Sequence, residues 1–270
     1  MRKHELIILK IGGSVITEKG EELKVRMDNI SRLAKEIKDA NIENLIVIHG
    51  GGSFGHPIAK RHGIKEGFKE ETQKIGFSET HHVMTVLNGL FMDSLVWHGI
   101  PAVTITPSSC IITKNGIIHT FEKGPLERLL ELRFIPVLYG DAVLDSELGF
   151  TILSGDQLVS ALSKEFGADR IIIGVDVDGL YEEDPKLNKS AKRFTHLTLK
   201  ELRNLQGKLG KTSVSDVTGG MFGKTQALLP AIEKGVPVTV VNATKPDRIY
   251  KALKKKKVKS TLIRKEFHVG

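Results

Sequence analysis

An α/β fold built on a largely parallel sheet is what the pattern order in this 270-residue sequence predicts. Two observations carry the prediction. Short, continuous apolar runs recur along the chain, as strands covered on both faces require. Stretches with apolar residues at three-and-four spacing alternate with them, as helices packed on such a sheet require. A third observation points to function. Glycine-rich turns cluster where the apolar runs end, and open α/β sheets bind ligands beyond the carboxyl ends of their strands.

In chain order, the first strand is predicted at Leu6–Ile11 and a helix at Met27–Ala40, where Ile30, Leu33, Ala34 and Ile37 share one face. A strand at Leu45–His49 follows, then a helix at Ser78–Trp97 carrying Val83, Val86, Leu87, Leu90, Phe91 and Val96, then a strand at Ala102–Thr106. Two hairpins interrupt the alternation. Ile111–His119 turns at Lys114-Asn115-Gly116, and Asn-Gly is the dipeptide that a type I′ turn favours. Ala142–Leu153 turns around Asp145–Gly149. Strands at Ile135–Tyr139, Arg170–Val175, Val236–Val241 and Thr261–Arg264, and helices at Asp156–Phe166 and Gly223–Lys234, complete the set. The polar segment Glu182–Thr195, with Asp184-Pro185, reads as a long loop. No internal repeat or low-complexity linker divides the chain, so one domain of two lobes is expected, an N-terminal lobe over about 1–165 and a C-terminal lobe over about 166–270.

Composition excludes several classes. Hydrophobic residues make up 40% and charged residues 27%, an ordinary globular balance. No apolar run approaches the roughly 18 residues of a membrane span, and the start MRKHELIILKIGG lacks a signal-peptide cleavage region. Cys110 is the single cysteine, which rules out an intrachain disulfide and a cysteine-based zinc site and makes a reducing cytoplasm the expected compartment. Cys110 itself has no activating motif and reads as an inert core residue. The net charge of +8 suggests an anionic partner, but residues 251–265 hold eight basic residues and no acidic one. Removing them from the 40 Lys and Arg leaves 32, equal to the 32 Asp and Glu. The excess is therefore local and reads first as a solvated face. No basic helix interleaved with aromatics points to nucleic acid.

The chemistry lies at the turns. Lys10-Ile11-Gly12-Gly13-Ser14 ends the first strand, and His49-Gly50-Gly51-Gly52-Ser53-Phe54-Gly55-His56 ends the second. Glycines before a helix start let backbone N–H groups approach an anion closely, so two such turns point to phosphate. Thr218-Gly219-Gly220-Met221-Phe222-Gly223-Lys224-Thr225 nearly matches a P-loop, but Thr218 replaces the first glycine and no apolar strand precedes it. A Gly-Gly turn with Lys224 beyond it remains, and that too suits a phosphate. Tyr139-Gly140-Asp141, Ser154-Gly155-Asp156 and Asp176-Val177-Asp178-Gly179-Leu180-Tyr181 place carboxylates beside glycines. Taken alone, Asp156 could cap its helix and Asp178-Gly179 could be a turn.

Together these motifs resemble, over nearly the whole chain, the amino acid kinase family with its acetylglutamate-kinase-like fold. The resemblance implies a three-layer αβα sandwich around a mainly parallel open sheet, with the hairpins added. It also implies a homodimer and transfer of the γ-phosphoryl of ATP, carried with Mg²⁺. The G-G-G-S-F-G-H turn ending in His56, with Lys19 beyond the first turn, resembles the branch of that family that phosphorylates isopentenyl phosphate in isoprenoid biosynthesis. Kinases of the fosfomycin type share a similar histidine, and nucleoside monophosphate kinases belong to the same family. By the resemblance, Lys10 and Lys224 bridge the transferring phosphoryl, Lys19 reaches the ATP phosphates, and Gly12, Gly13 and Ser14 donate hydrogen bonds to them. Gly51 and Gly52 lie where the two substrates' phosphates meet, His56 and Gly155 hold the acceptor, and Asp156 orients the lysines. Asp176, Tyr181, Gly219 and Gly220 line the nucleotide site, and no protein metal site is implied. An apolar acceptor tail calls for an apolar wall, for which Val83, Met84, Val86 and Leu87 are candidates. His81-His82 reads as surface.

Overall fold

A computed structural model of the chain describes residues 5–209 and 225–267, with backbone alone for 206–209. Twelve strands are described: β1 (Leu6–Ile11), β2 (Asn44–His49), β3 (Ala102–Thr104), β4 (Ile111–Lys114), β5 (Ile117–Phe121), β6 (Ile135–Tyr139), β7 (Asp141–Asp145), β8 (Gly149–Leu153), β9 (Arg170–Val175), β10 (His196–Thr198), β11 (Val238–Asn242) and β12 (Ser260–Arg264). Eight of them form one sheet in the order β10-β12-β11-β9-β1-β2-β6-β3. The six from β11 to β3 run parallel, while β12 lies antiparallel to β11 and β10 follows β12. The expected α/β architecture is thus present, with two reversed strands at one edge.

β1, at the centre, is buried along its whole length, so its run LIILKI has no polar face. Two apolar clusters lie against the sheet. One gathers Ile8, Ile46, Leu158 and Ile173, the other Ile7, Leu9, Leu33, Phe91 and Ile172. Successive residues of β1 therefore serve opposite layers, as the period of two in a strand dictates.

The hairpins build a second sheet, β5-β4-β7-β8. Asn115 and Gly116 both have positive φ, 49° and 75°, the backbone that a type I′ turn requires. The Asp145 carboxylate joins the two hairpins. It accepts hydrogen bonds from the N–H groups of Gly116, Asn115, Glu147 and Leu148 at 2.8–3.1 Å, and from Thr113 Oγ1 at 2.7 Å.

Helices α1 (Gly13–Ile16), α2 (Met27–Ala40), α3 (Gly52–Arg61), α4 (Gln73–Trp97), α5 (Pro107–Cys110), α6 (Gly124–Glu131), α7 (Gly155–Phe166) and α8 (Leu199–Leu209) connect the strands, with Leu229–Glu233 and Arg248–Leu253 near the end. α4 starts five residues before the apolar periodicity does. There Gln73 is buried and serves the backbone, accepting from the Lys69 and Glu70 N–H groups and donating to the carbonyls of His62 and Gly63. The helix expected over Gly223–Lys234 is described from Thr225, and regular helix there spans Leu229–Glu233. Pro230 lacks the N–H that a continuous helix would need, so it opens the first turn. β10 and α8 have no counterpart in the sequence reading.

Candidate active site

A cleft of about 650 Å³ opens at the carboxyl ends of the central strands. Lys10, the last polar residue before the β1 turn, is only 3% exposed at its floor. Burying an ammonium is costly unless it is paired. Its Nζ donates to Asp156 Oδ1 at 2.9 Å. Asp156 is free for this because it is not the helix cap. Ser154 caps α7 in a capping box with Gln157, and Asp156 stands in the first turn, where the helix dipole favours an anion. Gly155 opens α7 against the same place, its Cα direction facing Ile48, the His49 carbonyl and Lys10 Cε at ordinary contact distance.

The two glycine turns meet face to face. A Cβ on Gly13 would fall 2.1 Å from the Gly52 nitrogen, and one on Gly52, whose φ is +51°, would fall 2.1 Å from Thr17 Oγ1. Thr17 joins the turns by donating from Oγ1 to the Gly13 carbonyl at 2.9 Å and accepting from the Ser53 N–H at 3.0 Å. Gly13, Ser14, Gly51 and Gly52 line the cleft. Gly12 does not line it, and its N–H bonds the Gly174 carbonyl at 2.8 Å, so it joins β1 to β9 rather than offering a donor to a ligand.

Lys19 reaches the cleft from a small ribbon closed by the Thr17–Val25 bridge. α3, which carries His56, holds this ribbon. Pro57 has no N–H to give the Ser53 carbonyl one turn back, and the Leu23 N–H takes that carbonyl instead at 3.3 Å. Arg61 then pairs with both oxygens of Glu22 at 2.8 and 2.9 Å. Lys19 and His56, from separate segments, thus share one mouth.

On the opposite side the cleft is lined by Asp176, Val177, Gly179 and Tyr181, from the segment after β9. Lys186 lies there too and pairs with Asp176. Gly219, Gly220 and Lys224 lie outside the described residues.

The acceptor-side wall differs from the sequence reading. Of the four proposed residues only Met84 lines the cleft, with its Sδ packed where Cβ atoms on Gly51 and Gly55 would sit at 2.8 Å. Leu87 is buried in the core, Val83 packs beside that core, and Val86 faces solvent, because four residues within five positions of a helix cannot share one face. Thr80, Ala59 and Ile152 complete the wall, a set drawn from α4, α3 and β8 that no local pattern announces.

His81 is not simply surface. Its Nδ1 lies 3.0 Å from the buried Asp141 carboxylate, which also accepts the Ser108 N–H at 3.3 Å. Burial pushes the Asp141 carboxyl up, against the pull of His81 and Ser108. His49, between Phe91 and Tyr139, is fully buried, and desolvation lowers its pKa from 6.5 to about 4, so it is a neutral core residue. The Cys110 thiol is pushed up to about 11 by burial and by the charges of Asp141 and Glu122, which removes it as a nucleophile near neutrality. Among the described residues no group of three or more His, Cys, Asp or Glu is placed to hold a metal ion, and no helix is long and apolar enough to cross a membrane.

The family described as "Amino acid kinase family" is matched by residues 5–242. A protein of Methanothermobacter thermautotrophicus named isopentenyl phosphate kinase is 40% identical over 266 residues, 96% of this chain and 98% of that protein. One of the same name from Methanocaldococcus jannaschii is 37% identical over 258 residues, 92% of this chain and 95% of its own length. A solved structure described as an X-ray structure of isopentenyl phosphate kinase superposes with a TM-score of 0.84 at 36% identity, covering 96% of this chain and all of the other.

Proposed function

This chain belongs to the amino acid kinase family, and from that premise we propose that it transfers the γ-phosphoryl of ATP to isopentenyl phosphate, forming isopentenyl diphosphate for isoprenoid synthesis. One observation carries the choice of acceptor. His56 and the glycine turns, suited to an anion, share a cavity with the apolar wall of Met84, Ala59 and Ile152, and Met84 packs directly on the turn that leads to His56. A small apolar phosphate monoester matches both halves.

The acceptor explains why no general base is needed. The second pKa of a phosphate monoester is about 6, so at neutral pH its oxygens are largely ionised. The barrier is repulsion between two anions, and cations, N–H donors and in-line placement lower it. Lys10, held by Asp156, lies beneath the turns where the two phosphates meet, and we assign it and Lys224 to the transferring group. Lys19 serves the ATP phosphates, and Gly13 and Ser14 serve as their donors. Gly51, Gly52, Gly155 and His56 seat the acceptor phosphate, His56 best as imidazolium. Asp176 and Tyr181 face the nucleotide, with Gly219 and Gly220 assigned to the same side from the motif.

In the proposed reaction ATP carries a Mg²⁺ ion held by the triphosphate and water. When bound, that ion would offset charge on the β- and γ-phosphates. The C-terminal lobe is assigned to nucleotide and the N-terminal lobe to acceptor, in a cytoplasmic homodimer.

The test is a panel of acceptors with ATP: isopentenyl, dimethylallyl and geranyl phosphates, fosfomycin and UMP. The highest kcat/KM is expected with isopentenyl phosphate. Preference for fosfomycin or UMP refutes the assignment.

A further inference from the structure

The segment after β9 presents Asp176, Val177, Gly179 and Tyr181 to the cleft, but Asp178 turns the other way. Its carboxylate is 19% exposed and faces three groups from the end of the chain. Asn242 Nδ2, at the end of β11, donates to Oδ1 at 3.0 Å. Lys259 Nζ, just before β12, pairs with Oδ2 at 2.8 Å, and Arg248 approaches Oδ1 at 4.0 Å. The next two residues are fixed to β12 as well. The Leu180 N–H donates to Thr261 Oγ1 at 2.8 Å. Gly179 has φ +141° and lies so close that a Cβ would fall 2.4 Å from the same oxygen. Only a glycine gives this backbone and this approach together.

Lys259 belongs to the lysine run over residues 251–265, which composition alone places on a solvated face. Its members are in fact used differently. Lys255 pairs with Glu5, Lys256 lies over the Tyr250 ring, and Lys259 reaches the loop behind the cleft. The reversed strand β12, which departs from the parallel order, brings Lys259 and Thr261 to that loop.

We propose that Asp178, Lys259 and Thr261 form an outer clamp that sets nucleotide affinity by fixing the back of the Asp176–Tyr181 segment. The inference rests on the assignment of that segment to ATP. The three are positioning residues, since none is placed to touch substrate. A clamp of this kind acts on the affinity for ATP and leaves the acceptor side, which is built on α3, α4, β8 and the start of α7, unchanged.

The experiment compares wild type with Asp178→Asn, Lys259→Met, Lys259→Arg, the double variant Asp178→Asn/Lys259→Met, and the control Lys254→Met. ATP affinity is read by calorimetric titration, which needs no turnover, and kcat and both KM values by a coupled assay. Asp178→Asn and Lys259→Met are expected to weaken ATP binding about three- to tenfold, the scale of a small displacement of binding groups. The KM for isopentenyl phosphate should stay within about twofold, and the double variant should be no worse than the weaker single one. Lys259→Arg should restore ATP affinity, and Lys254→Met should match wild type. Equal losses for both substrates, additive singles, or the same loss in Lys254→Met overturn the clamp. Wild type that binds ATP but prefers another acceptor refutes the acceptor assignment and leaves the clamp standing. Wild type that does not bind ATP refutes both.

Discussion

Asp156→Asn keeps the shape of the side chain and removes one charge from a pair whose other member, Lys10, has a side chain only 4% exposed. Removing one partner of a buried ion pair leaves an uncompensated charge and costs about 3–5 kcal/mol. Asp156 itself is 16% exposed, so water reaches one end of the pair and the lower part of that range applies. For a chain of this length the loss corresponds to a fall in Tm of roughly 6–12 °C. The function should respond with a different sign. In the proposed reaction ATP brings anionic phosphates to the Lys10 end of the cleft, and the variant no longer carries the Asp156 charge that repels them. Saturating ATP should therefore raise the Tm of the variant by more than it raises that of wild type. kcat should fall at least tenfold, because Lys10 is no longer held in line. The assay is a thermal melt with and without a non-hydrolysable ATP analogue, beside steady-state kinetics. An unchanged Tm without nucleotide, or equal nucleotide shifts in both proteins, would refute the argument that Asp156 is the partner that makes a buried Lys10 tolerable.

Three further outcomes are expected. His56→Gln should keep partial turnover and His56→Ala should lose most of it, so turnover equal to wild type in His56→Ala would remove the residue from the site. Asp145→Asn replaces a carboxylate that accepts five hydrogen bonds and should cost about 2–4 kcal/mol, measured by denaturant unfolding. Its folded-state pKa is held well below the ordinary value, because the donors outweigh the desolvation that would raise it. Its contribution is thus present above about pH 4 and lost as the pH falls further. His49 has the opposite charge and a lowered folded-state pKa of about 4 against 6.5. Only the unfolded chain takes up its proton between those values, so stability is intact above pH 6.5 and declines by about 3 kcal/mol on acidification to pH 4. His49→Gln should flatten the slope of stability against pH in that window.

Much of this molecule is written locally. The apolar runs Leu6–Ile11 and Arg170–Val175 become strands with those bounds, and Asn115-Gly116 makes its turn, because burial on two faces and positive φ each leave a local mark. The glycine turns were visible too, as was the convergence of strand ends on one site. Other elements left weaker marks. β10 is three residues, and its pairing with β12 supplies what its sequence does not. The early start of α4 depends on Gln73, a polar residue buried for the sake of a loop's backbone. The turn containing Gly12 suits a phosphate donor, but the Gly12 N–H is taken by the Gly174 carbonyl of β9.

The sequence by itself determined the α/β class and placed Lys10, Lys19 and His56 in or just beyond glycine turns at strand ends, where they line one cleft, because periodicity and turn chemistry act over a few residues. The tertiary structure decided which groups those residues meet. Lys10 and Asp156 are 146 positions apart, the turns at Gly13 and Gly52 touch only when β1 and β2 pair, and Lys259 reaches Asp178 only because the last strand runs backwards. Such contacts are set by strand order and direction, and a buried charge takes its partner from whichever segment that order brings within about 3 Å.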